Sequence, residues 1–173
     1  YHTIEPGQQT TYNMTISNPT PGPAELVADT YEVTLLGVPN NWTVTLFFSS
    51  NHTPIFDSTP VFLRGGDVVP VYMRVRAPTI YQAHEDELAA ITVSVVSYKD
   101  PAINDERLTL TLMDVVHGIN LDTSHYQVDV EQGQSAIFSI TVTNTGNVYD
   151  TFAFYDPTTH EGQTEWGLPF GWG

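Results

Sequence analysis

Residues 4–22 return later in the chain. The first copy, IEPGQQTTYNMTISNPTPG, runs from Ile4 to Gly22; the second, VEQGQSAIFSITVTNTGN, runs from Val130 to Asn147. Gly7-Gln8 falls on Gly133-Gln134, Tyr12, Met14 and Ile16 on Phe138, Ile140 and Val142, and Asn18 on Asn144, all at one offset. Further on, with small slips that read as loop insertions, Asp29-Thr30-Tyr31 meets Asp150-Thr151-Phe152. Val38-Pro39…Trp42 then meets Leu168-Pro169…Trp172. Self-similarity on this scale restricts the chain to an array of one repeated unit. The second copy stops at Gly173 well before the first has run its course. The expected organisation is therefore a complete module over residues 1–115 and the N-terminal half of a second over 116–173, both parts of a longer array. A half module has too few strands to cover its own apolar face. It is expected to need its missing half or a strand from a neighbour.

The repeated unit carries strand patterns. Tyr12, Met14 and Ile16 alternate with Asn13, Thr15 and Ser17, and Val71, Met73 and Val75 with Tyr72, Arg74 and Arg76. Ile91, Val93 and Val95 alternate with Thr92 and Ser94, and Leu108, Leu110 and Leu112 with Thr109 and Thr111. Successive side chains of a strand point to opposite faces, so each run predicts a half-buried strand with its apolar set inward. Val33–Leu35 and Val44–Leu46 add two more. About seven short strands in a unit of this size, each bounded by Gly, Pro, Asn or Asp, describe an all-β antiparallel sandwich. Pro6-Gly7 and Gly65-Gly66-Asp67 supply the backbone angles of tight reversals. Pro19, Pro21 and Pro23 keep the bridge after the first strong strand out of any central strand. Tyr81–Ala90 reads as a loop with at most one helical turn. Asp114–Asp122 is partly apolar and reads as an ordered connection between modules.

Charge narrows the partners. Five basic residues stand against 20 acidic ones, a formal net charge of −15. Phosphate neutralisation needs Lys and Arg, so a nucleic-acid partner is not expected, nor an anionic membrane surface. Such acidity suits a self-repelling surface, a divalent-cation binder or a high-salt habitat. With no cysteine, the chain has no disulfide, zinc-thiolate site or cysteine nucleophile. No apolar run approaches the length of a membrane span and no signal peptide is recognisable. A mature exported chain would have lost its signal, and an anchor is expected only beyond this segment.

Pro6-Gly7, Ser17-Asn18, Asp29-Thr30-Tyr31, Val38-Pro39-Asn40-Asn41-Trp42, Gly65-Gly66-Asp67, Val75-Arg76-Ala77-Pro78 and Val95-Val96-Ser97 follow one another in the first copy. The second copy adds Thr143-Asn144-Thr145-Gly146-Asn147. In this order the chain resembles the NEW3-type, immunoglobulin-like repeat domains of archaeal and bacterial cell-surface proteins, which are also found appended to glycosidases. The resemblance spans the first module and the second as far as it goes. The first copy departs from it in its Pro-rich bridge and in the acidic loop from Ile80 to Leu88. The resemblance implies tandem Ig-like antiparallel β-sandwiches, the second one incomplete, in an extracellular, surface-associated protein. The shared motifs are structural, so it implies no reaction.

The residues themselves point to no catalysis. Gly-x-Ser-x-Gly is absent, and His2, His52, His84, His117, His125 and His160 are scattered. His84-Glu85-Asp86-Glu87 lacks the second histidine of a zinc-protease helix, since position 88 is Leu. No enzyme is expected. Calcium is the more natural cation, because hard ions want clustered oxygens. Three acidic loops are candidates: Glu85, Asp86 and Glu87; Asp100, Asn104, Asp105 and Glu106; and Asp114, Asn120 and Asp122. The same residues also read as solvated acidic loops. Asn13, Asn41 and Asn51 open N-glycosylation sequons, while Asn18 is blocked by Pro19. Trp42 and Trp172 read as core plugs, with a sugar-stacking platform as the alternative. Tyr72, Tyr81 and Tyr98 are candidates for exposed contact with glycans or other copies. The apolar stretch Trp166–Trp172 is expected to pack into the second module or a neighbouring chain.

Together these readings describe a structural segment of a surface-layer or filament array that self-associates through edge strands and apolar module ends. Tyr1, His2, Thr3 and Ile4 form an extended N-terminal stretch that could be donated as a strand to a neighbour. The alternative is a carbohydrate- or protein-binding accessory module of an exported hydrolase or adhesin.

Overall fold

The computed structural model of the chain describes residues 1–153 except 20, 21, 24–26, 58, 84 and 85. The strands, in chain order, are β1 (His2–Ile4), β2 (Gln9–Ser17), β3 (Asp29–Leu36), β4 (Thr43–Phe48), β5 (Pro54–Ile55) and β6 (Pro60–Leu63). They continue with β7 (Val68–Arg76), β8 (Leu88–Ser97), β9 (Asn104–Met113), β10 (Ile119–Thr123) and β11 (Ile140–Asn144). No helix forms among the described residues. A five-stranded sheet runs β1-β9-β8-β3-β6, a four-stranded sheet β2-β7-β4-β5, and β10 pairs with β11 in a small third sheet. Every pairing is antiparallel except that of β1, which lies parallel to the end of β9.

The two larger sheets face each other across one core, a β-sandwich. The four-stranded sheet contributes Ile16, Leu46, Val71, Met73 and Val75; the five-stranded sheet contributes Tyr31, Val33, Leu63, Ile91, Val93 and Met113. Each such side chain stabilises the fold by about 1.5–3 kcal/mol on burial. The alternation in β2, β7 and β8 sends the expected residues inward because each strand has one face on the core and one toward water. Trp42 lies buried among these residues, and its indole Nε1 donates to Glu87 Oε1 at 2.8 Å, so a polar atom of the plug is satisfied at the rim.

β9 reverses its expected face. Leu108 is 62% exposed, while Thr111 is fully buried. The register decides this. Thr111 pairs with Ala89 and Thr109 with Ile91, and β8's inward set is Ala89, Ile91 and Val93. Residues directly opposite in a sheet share a face, so the threonines inherit the core side and the leucines the outer side. The buried hydroxyls are paired. Tyr12, reaching across from β2, donates to the Leu110 carbonyl at 2.6 Å and lies 2.8 Å from Thr111 Oγ1; Thr109 Oγ1 donates to the Ile91 carbonyl at 3.1 Å.

Asn18, directly after β2, is 1% exposed. Its Nδ2 donates to the carbonyls of Val27 at 2.9 Å and Leu63 at 3.4 Å. Its N–H donates to the Asp67 carbonyl at 3.0 Å, and its own carbonyl accepts from Gly66 at 2.8 Å. One residue thus ties the end of β2 to the approach to β3 and the end of β6 through its side chain, and to the turn into β7 through its main chain. Gly66 takes φ +85°, a backbone angle that glycine adopts without strain. Truncating Asn18 to Ala leaves buried carbonyls without donors. We expect Asn18→Ala to cost about 2–4 kcal/mol, and Asn13→Ala, on the exposed face of the same strand, under about 0.5 kcal/mol. Urea unfolding of the two variants checks the contrast.

Candidate functional site

The site is best sought on surfaces, because several acidic residues of the candidate loops already bond within the protein. Glu87 accepts from Trp42. Asp100 Oδ1 accepts from the Ala102 N–H at 3.0 Å, and Asn104 Nδ2 donates to the carbonyls of Pro101 and Ala102. Asp105 forms an exposed ion pair with Arg107 at 3.0 Å. Glu106 lies on the opposite face of β9 from Asp105, where its Oε1 accepts from Ser94 at 3.4 Å. Adjacent strand residues cannot converge on one ion. Asp114 Oδ1 accepts from the Val115 N–H, while Asn120 and Asp122 lie in β10 facing Thr143 and Thr141. Asp86 takes φ +57° in its turn, and Glu85 lies outside the described residues. Among the described residues no group of three or more His, Asp or Glu side chains is placed to hold a metal ion. The described members of the three loops that the sequence offered for calcium do not form such a group.

The N-terminal stretch Tyr1–Ile4 joins the sandwich formed by the strands that follow it. His2, Thr3 and Ile4 pair with Thr111, Leu112 and Met113, Ile4 packs against the core, and the Ile4 carbonyl accepts from the Asp114 N–H at 2.9 Å. His2 meets Tyr12 edge-on at 4.8 Å, and Tyr1 is exposed. Trp172 and the apolar stretch around it lie outside the described residues.

All three sequon asparagines are exposed. Asn41 takes φ +66° in the turn before β4, and Asn51 Oδ1 accepts from the Thr53 N–H after β4, so the two flank one strand. Asn13 lies on the outer face of β2, opposite Tyr72. There Tyr72 stacks on Phe47 at 5.0 Å with the rings 13° apart, and Arg74 lies over the Phe47 ring at 5.0 Å. His52 approaches from the side, its Nδ1 3.0 Å from the Tyr72 hydroxyl. The result is an aromatic-cationic strip on the outside of the four-stranded sheet. The sequence pointed to Tyr72 alone. Its partners gather there only through the register of β4 with β7.

A second surface was missed for the reason β9 was misread. With its threonines inward, β9 places Leu108, Leu110 and Leu112 on the outside of the five-stranded sheet. They lie opposite Thr92, Ala90 and Leu88, and Leu36 flanks Thr92 on β3. Leu36, Leu88 and Leu108 are each about half exposed. Contiguous apolar patches of this kind mark contact surfaces more often than scattered single residues do.

The duplicated segments share detailed local bonding. Gln8 donates to the Glu5 carbonyl and Gln134 to the Glu131 carbonyl, each at 3.0 Å, around Gly7 and Gly133 at φ +76° and +84°. Asn18 Nδ2 donates to the Val27 carbonyl at 2.9 Å; Asn144 Nδ2 donates to the Val148 carbonyl at 2.7 Å. Asp29 Oδ1 accepts from Thr30 at 2.7 Å, and Asp150 Oδ1 from Thr151 at 2.8 Å. The second carboxylate oxygens part company. Asp29 Oδ2 accepts from buried Ser97, whereas Asp150 Oδ2 lies 3.0 Å from His117 Nδ1. The segment between β9 and β10 is ordered by Asn147. Its Oδ1 accepts from Val116, its Nδ2 donates to the Asp114 carbonyl, and its N–H donates to the Val116 carbonyl. Gly146 lies so close that a Cβ there would come within 2.2 Å of the Val116 carbonyl oxygen.

No protein-family model matches this chain, and a comparison with curated proteins finds no relative. No helix among the described residues is long and apolar enough to cross a membrane.

The Asp150 carboxyl is held below its ordinary value, first by the hydrogen bond from His117 and then by the Thr151 N–H. A carboxyl lowered in the folded state adds stability above its unfolded pKa, and that contribution is lost as pH falls through the folded value. In His117→Ala we expect the Asp150 midpoint to move up toward the usual carboxylate range, read by carbon-detected NMR titration. An unmoved midpoint would assign the shift to Thr151 instead.

Proposed function

We propose that the chain is a structural segment of an extracellular surface-layer or filament array built from tandem Ig-like modules. The observation that carries this reading is the duplication, supported by matched bonding in the two copies. The turn at Gly7, the Asn18 amide bond and the Asp29 cap each have a counterpart at Gly133, Asn144 and Asp150. A repeat that keeps its turn and clamp residues is suited to propagating length. The ordered connector around Asn147 supports stiff spacing over a loose tether. The outer leucines of β3, β8 and β9 supply an apolar face for lateral contact, and the acidic remainder of the surface keeps unassembled copies apart. Asn13, Asn41 and Asn51 would carry their glycans on exposed positions in that setting.

A second reading, a carbohydrate-binding accessory module, is favoured by one feature. The stacked Phe47–Tyr72 pair with Arg74 and His52 offers ring faces and donors to a sugar. Line broadening confined to this strip on titration with oligosaccharides would move the weight to it.

The array reading is checked by light scattering of the intact chain, with calcium and with a chelator. We expect concentration-dependent assemblies that are indifferent to chelation, because no group of three or more acidic or histidine side chains among the described residues is placed to hold a metal ion. Replacing Leu36 and Leu108 together by Lys should reduce the assemblies at least tenfold in mean mass, on the order of the loss expected when an apolar contact is charged. A chain that stays monomeric at every concentration would overturn the reading.

A further inference from the structure

Among the described residues the four-stranded sheet has an open edge with a groove beside it. β2 is the end strand of its sheet, and its bonds to β7 run through alternate residues. The Asn18 N–H, which donates to the Asp67 carbonyl, fixes the parity. Tyr12, Met14 and Ile16 bond toward β7, so the backbone groups of Thr11, Asn13, Thr15 and Ser17 point away from it. Along this edge lies a groove of about 520 Å³, floored by Met14, Ile16, Val93 and Val95 and rimmed by Arg107 and Leu108 of β9. β1 pairs only with residues 111–113 of β9, which leaves the stretch of β9 beside the groove unpaired on that side. Among the described residues the sandwich is therefore open between its two sheets beside β2 and residues 104–110 of β9.

The second copy has a strand at the corresponding place. β11 is the counterpart of the end of β2, with Ile140, Val142 and Asn144 standing for Met14, Ile16 and Asn18. β10 lies against it with Thr123 opposite Ile140, Leu121 opposite Val142 and Ile119 opposite Asn144. The Thr145 N–H donates to the Gly118 carbonyl, so Thr141, Thr143 and Thr145 bond toward β10. Their counterparts are Thr15, Ser17 and Pro19. β10 thus occupies, on β11, the same edge that no strand of the described residues covers on β2.

We infer that the β2 edge and its groove are a docking site for an extended strand with the chemistry of β10, supplied by the connector of an adjoining module of the array. The strand carries apolar side chains at alternate positions. In the β10 register its isoleucine stands opposite Asn18, its leucine opposite Ile16 over the groove, and its threonine opposite Met14. Its intervening residues exchange backbone bonds with Ser17 and Thr15. Pro19 has no N–H, so the last bond of the β10 ladder is missing and the site ends at Ser17. The source of the strand rests on the array reading; the edge and its register do not.

The test uses the intact chain and a synthetic peptide with the sequence of residues 115–125, followed by amide hydrogen exchange. Thr15 and Ser17 should slow by roughly tenfold or more at saturating peptide, while Thr11, beyond the docked stretch, stays fast. A peptide with Asp in place of its Ile and Leu should give no protection. Ser17→Pro removes an outward N–H and leaves the bonds to β7 in place, as proline is tolerated on the open side of an edge strand. It should abolish protection at Thr15 while the Asn18 amide stays protected. Unchanged exchange at Thr15 and Ser17, or protection confined to Thr141 and Thr143 through replacement of β10, overturns the proposal. So does full binding by Ser17→Pro. None of these results depends on whether the chain polymerises, which light scattering reads separately.

Discussion

A buried primary amide holds the module's connections in place. Asn18 ends β2, and from there it bonds the carbonyls of Val27 and Leu63 and exchanges main-chain bonds with Asp67 and Gly66. Each of those partners lies where the chain crosses or turns between sheets. Apolar packing decides that two sheets come together, since it is non-directional and scales with area. It does not by itself fix which loop closes over which strand end. Directional bonds in a dry setting do, because a misplaced donor there is expensive to leave unpaired. The counterpart at Asn144 keeps the bond to the following segment, a sign that this link is local enough to form with few other strands present.

At the other end of the sandwich Trp42 and Tyr12 act in a related way. Each puts a large apolar ring against the core and a polar atom at its margin, to Glu87 in one case and to β9 in the other. Tyr12 also marks one limit of the open flank. On its far side β1 closes the edge of β9, and on its near side the groove begins. Asp105 and Arg107, pointing inward from β9 at that mouth, keep charge beside the unpaired edge. Such inward charges discourage indiscriminate strand pairing while leaving room for a strand of the right register. The open flank, the outer leucines and the aromatic strip are three surfaces of the sandwich, and Leu108 belongs to the first two.

Much of this was legible from residue order. The alternation of β2, β7 and β8 was sufficient because residues between their apolar positions, such as Asn13, Arg74 and Thr92, are polar and face away from the core. Duplication exposed Asn18 and Asp29 as structural positions before any bond was known. The short strands β5 and β6 escaped notice because two to four residues carry too little periodicity. The acidic loops suggested a cation from composition alone, yet neighbours such as Asp105 and Glu106 diverge onto opposite faces once they lie in a strand. Tyr72 was visible as an exposed ring, but Phe47 and Arg74 come from register across two strands.

The sequence by itself determined the class of structure and its repetition: an all-β chain with the same turn, strand and clamp written twice. Local pattern is enough for that, because side-chain alternation and turn chemistry act over a few residues. Only the tertiary structure decided which set of β9 faces the core, where the edge of β2 lies open, and which strand of the second copy covers the corresponding edge. A strand always offers two faces and two edges. Which of them is buried or paired depends on the register of neighbours far away in the chain, and that is set by packing the whole sandwich at once.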